Sequence, residues 1–65
     1  MWNVIYRLPT MQDEFLEGSF PSLYLAMDHA VQFFLSEDDS WKLIDHYTWE
    51  NAHGDILEIL YEAVR

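Results

Sequence analysis

The chain has 65 residues, with twelve carboxylates, three basic side chains (Arg7, Lys42, Arg65), no cysteine and a formal net charge of −9. This charge argues against direct binding to DNA or RNA, whose affinity comes largely from Lys and Arg neutralising phosphates, and against docking on anionic lipid. The length allows one small domain, residues 1–65, that buries only about 60% of its unfolded surface, and the missing cysteines remove disulfides and thiolate metal sites.

The acidity is not that of a disordered chain, because 51% of the residues are hydrophobic and 17% aromatic. Arg7 and Pro9 interrupt the early apolar run, so no signal peptide is read, and no apolar stretch approaches a membrane span. A soluble, cytoplasmic protein is expected.

Trp2 to Leu8 is β-branched and aromatic and predicts a strand, with Trp2, Val4, Tyr6 and Leu8 on one face. Pro9 and Thr10 end it, and Met11 to Glu14 form a polar connection. Phe15 to Phe20 predicts a returning strand, in which Gly18 weakens the ladder or marks a bulge. Ser22, after Pro21, is an N-cap. Leu23, Ala26, Met27, Ala30 and Phe34 then recur at helical spacing, predicting an amphipathic helix to about Ser36. Leu25, Asp28, His29, Gln32 and Ser36 lie opposite, and Tyr24, Val31 and Leu35 widen the apolar arc. Glu37, Asp38 and Asp39 follow, against the preference of a helix C-terminus for cations.

Trp41 to Thr48 alternates as one strand, and Glu50 to Gly54 forms a turn in which Gly54 is able to take positive φ. Asp55 to Val64 has two readings. The short turn after a strand favours a hairpin partner; the alternative is a helix over 55–64 started by Asp55 and Glu58. The fold class is therefore α+β: a ββαββ-type single domain whose antiparallel sheet carries one helix on one face. The other face is open to water, a second subunit or a partner.

No catalytic constellation emerges, and an enzyme is not expected. The serines sit at cap and loop positions, and the two glycines make no phosphate cradle. His46, Glu50 and His53 fall on strand and turn, without four ligands or a supporting shell, so no metal or cofactor is expected. His29 is read as solvated.

The acids gather in three patches: Asp13, Glu14 and Glu17; Glu37, Asp38 and Asp39; Asp55, Glu58 and Glu62. A carboxylate array of this kind imitates the phosphates of a nucleic acid and suits the Lys/Arg groove of a protein that handles one. Trp41, Tyr47 and Trp49 are the candidate aromatic anchors. The expected function is thus a small acidic inhibitor or regulator that blocks a basic, nucleic-acid-binding protein surface. In size and charge alone the chain is similar to the small inhibitor proteins of bacterial viruses, a likeness that transfers no residue roles. The alternatives are a homo-oligomeric accessory or structural module, such as a homodimer, and a small-ligand sequestering protein.

Overall fold

The structure, a computed structural model, describes residues 1–10 and 13–63. The connection expected at Met11 to Glu14 lies partly outside these residues, as do Val64 and Arg65. The elements are β1 (Trp2–Arg7), β2 (Glu14–Phe20), α1 (Leu23–Ala30) running into a π-helical turn (Val31–Leu35), β3 (Lys42–Asp45), β4 (Thr48–Glu50) and β5 (Ile56–Tyr61). The strands form one sheet in the order β2-β1-β5-β4-β3, with every neighbouring pair antiparallel. The α+β class and the helix on one sheet face are as predicted, and 56–61 is a strand, not a helix.

The segment Trp41 to Thr48 departs from its expected single strand. It folds back on itself at His46 and Tyr47, and Asp45 pairs with Thr48. Tyr47 takes φ 48°, in the left-handed region, which lets the chain reverse without glycine. The sheet therefore has five strands instead of four.

Register separates the side chains into two faces. On the helix side, Phe15, Tyr6, Leu57, Trp49 and Leu43 form one cross-strand row, with Phe20, Trp2 and Tyr61 in another. On the open side, one row runs Glu14, Arg7, Ile56, Glu50, Lys42 and the next begins Leu16, Ile5, Glu58, Thr48. The bulge expected at Gly18 is present: the β1–β2 register shifts so that Glu17 is the extra residue.

The Ser22 cap is also as predicted, its Oγ accepting from Leu25 N at 3.2 Å. Ala26 and Ala30, one helical turn apart and fully buried, let the helix backbone lie close over Val4, Leu57 and Ile59. These five residues are the buried core. The helix packs on β1, β2 and β5 and leaves β3 and β4 uncovered. Trp41 and Trp49 pack against the core from that uncovered end.

Candidate protein-binding surface

The predicted acidic residues divide into those used inside the fold and those left for solvent. Asp55 is used: Tyr6 Oη donates to its carboxylate at 2.6 Å and Asn51 Nδ2 at 3.1 Å. Burial, then the Asp55 hydrogen bond and charge, and then Glu17, push the Tyr6 phenol up to about 12. Glu58 is half-buried against the Arg7 guanidinium, which also pairs with Glu14 at 3.5 Å. Glu62 accepts from Asn3 Nδ2 at 2.8 Å. Asp38 accepts from Ser40 N at 2.8 Å and so closes the turn into β3. That bond, the Ser40 side chain and the charge of His53 hold its carboxyl below the usual range. Asp13, Glu17, Glu37 and Asp39 are exposed.

The third predicted patch is not contiguous. Asp55 reaches the helix-side Tyr6, whereas Glu58 and Glu62 meet Arg7 and Asn3 on the open face. The second patch, Glu37 to Asp39, stays together in the loop after the helix.

The aromatic candidates separate in the same way. Trp41 and Trp49 are half-buried on the core, and only Tyr47 is exposed, at the β3–β4 turn. The exposed rings and aliphatics of the helix layer are instead Tyr24 (78%), Phe33 (60%), Leu25 and Val31. The wide apolar arc of the sequence points to Tyr24 and Val31; spacing puts Leu25 on the polar side, and Phe33 carries no periodic signal. Tyr24, Asp28 and Val31 share one helical stripe. His29 is not solvated as expected: it lies half-buried between Phe20 (ring centroids 5.2 Å) and Phe33 (4.7 Å).

The described Lys and Arg are confined to one face, whereas carboxylates lie on both. Among the described residues the basic side chains are Arg7 and Lys42, and both belong to the open-face row. The helix side carries Asp28, Glu37, Asp38 and Asp39 with no Lys or Arg among the described residues. Acidic groups there adjoin exposed apolar side chains, with no described Lys or Arg beside them.

Among the described residues, no group of three His, Cys, Asp or Glu is placed to hold a metal ion, and no helix is long and apolar enough to cross a membrane. His46 and His53 are exposed in separate turns. Comparison with protein-family models, curated proteins and solved structures finds no match to this chain.

Proposed function

We propose that this protein is a small acidic inhibitor or regulator that docks its helix side on a basic surface of another protein. The one observation that carries this reading is the confinement of the described Lys and Arg to the other face. Asp28 and the 37–39 loop are unopposed by Lys or Arg on that side, beside exposed Tyr24, Leu25, Val31 and Phe33. Carboxylates steer a cationic partner, and the apolar side chains supply desolvated anchors once it has arrived. The chemistry of the partner follows: Lys/Arg-rich, with apolar pockets between the charges, as in a groove that holds nucleic acid.

The test uses immobilised protein offered a cell lysate, with bound proteins eluted by salt and identified by mass spectrometry. Captured proteins should be basic, should be displaced by duplex DNA, and should be lost as salt rises from about 0.05 to 0.3 M, where screening shortens to under 10 Å. Reversing Glu37, Asp38 and Asp39 to Lys should abolish capture. Because Asp38 also holds Ser40, the double variant Glu37→Lys/Asp39→Lys separates charge from turn geometry. Capture that ignores salt, DNA and both variants would sink the reading.

A further inference from the structure

We infer that the open face of the sheet is a self-complementary surface on which a second copy of this chain packs, sheet against sheet, to form a reversible dimer. An antiparallel sheet face left to water is normally polar at alternate positions. Here that face carries Ile5, Leu16, Ile56 and Leu60, and Leu16 is 63% exposed.

The charges around these residues choose the occupant. Across the strand order β2-β1-β5-β4-β3, the row Glu14, Arg7, Ile56, Glu50, Lys42 reads minus, plus, neutral, minus, plus. That pattern is antisymmetric about β5. A two-fold axis along β5, in the plane between two sheets, sets Glu14 against Lys42 of the second copy and Arg7 against its Glu50. Ile56 meets Ile56, to within the roughly 30° tilt of aligned sheets. In the next row the same axis sets Glu58 against Glu58, each beside its own Arg7 guanidinium, and Asp45, the partner of Thr48, against Leu16 of the second copy. The helix side offers no described Lys or Arg to pair with the carboxylates of a second copy.

Both sheet edges are poor routes to the same end. β2 is bulged and carries Glu14 and Glu17; β3 has four residues, a register irregularity after Leu43, and Lys42. Short, bulged and charged edges resist pairing with another strand. The face is modest in area: strands about 4.8 Å apart, about 20 Å long in β1, β2 and β5 but only about 10–13 Å in β3 and β4, give roughly 410 Å² per copy. The pair would bury about 820 Å², below the range of stable interfaces and within that of transient ones, so the dimer should exchange with monomer.

Sedimentation velocity of the full chain across a dilution series reads this out. The wild type should pass from monomer to dimer below about 1 mM, the weak end of useful association. Glu14→Lys and Lys42→Glu should each weaken the dimer about tenfold, and the double swap should recover most of the loss, because the pair acts as a coupled unit. Each substitution also disturbs its own-chain neighbour, but the swap repairs only the contact between copies. If a reversal unfolds the chain, as circular dichroism would reveal, Ile56→Cys decides instead. It is the only thiol, and a bismaleimide of about 10 Å reach should link two copies across the sheet spacing. Tyr24→Cys on the helix should not be linked. A monomer at every concentration would overturn the inference. So would no rescue by the double swap, or linking at Tyr24 but not at Ile56.

Discussion

Tyr6 and Asp55 meet across 49 residues of sequence through a hydrogen bond of 2.6 Å. The phenol is raised to about 12, above the value of about 10 expected for a free tyrosine. Its contribution is therefore complete below pH 10 and is lost as pH rises from about 10 to 12. In chemical denaturation, Tyr6→Phe should cost about 1 kcal/mol at neutral pH and should flatten that alkaline step. Leu57→Ala tests the core more severely. The side chain is fully buried, and its truncation should cost about 2–5 kcal/mol, most of what a domain of this size has. The urea midpoint at neutral pH should fall accordingly. Acid positions were legible in the sequence, but acid roles were not. Asp55 and Glu58 are consumed by Tyr6 and Arg7, partners that no local spacing brings into view.

At the scale of elements, the helix and the first hairpin were readable because their signals are local. The Ser22 cap, the stripe from Leu23 to Phe34 and the bulge at Gly18 each follow from neighbouring residues. The β3–β4 hairpin was not readable, because the alternation of Trp41 to Thr48 runs straight through its turn and Tyr47 stands where glycine or asparagine would announce one. Tyr47→Gly should relieve about 1 kcal/mol of left-handed strain, partly offset by glycine's greater unfolded freedom, while Tyr47→Val should lower the thermal midpoint. Gly18→Ala should do the opposite of relief. A Cβ there would sit 2.8 Å from Phe20 Cε2, in a ring packed on the core and beside His29, so a loss of about 1–3 kcal/mol is expected in urea titration.

For the whole molecule, a net charge of −9 on a domain with five buried core residues among those described sets repulsion against a small core. Raising ionic strength from about 0.01 to 0.15 M shortens the screening length from about 30 to 8 Å, and the melting temperature should rise with it. The same salt should weaken a basic partner's grip, so stability and binding move in opposite directions along one titration. The sheet order has a kinetic consequence. The central pairing, β1 with β5, joins strands from opposite ends of the chain, and Val4 lies beside Ile59. Neither can be buried until nearly the whole length has closed into a loop, so little of the native contact energy is available early. Folding should be slow for so small a domain, because the β1–β2 hairpin and the helix hold only part of the core until β5 brings Leu57 and Ile59 beneath them.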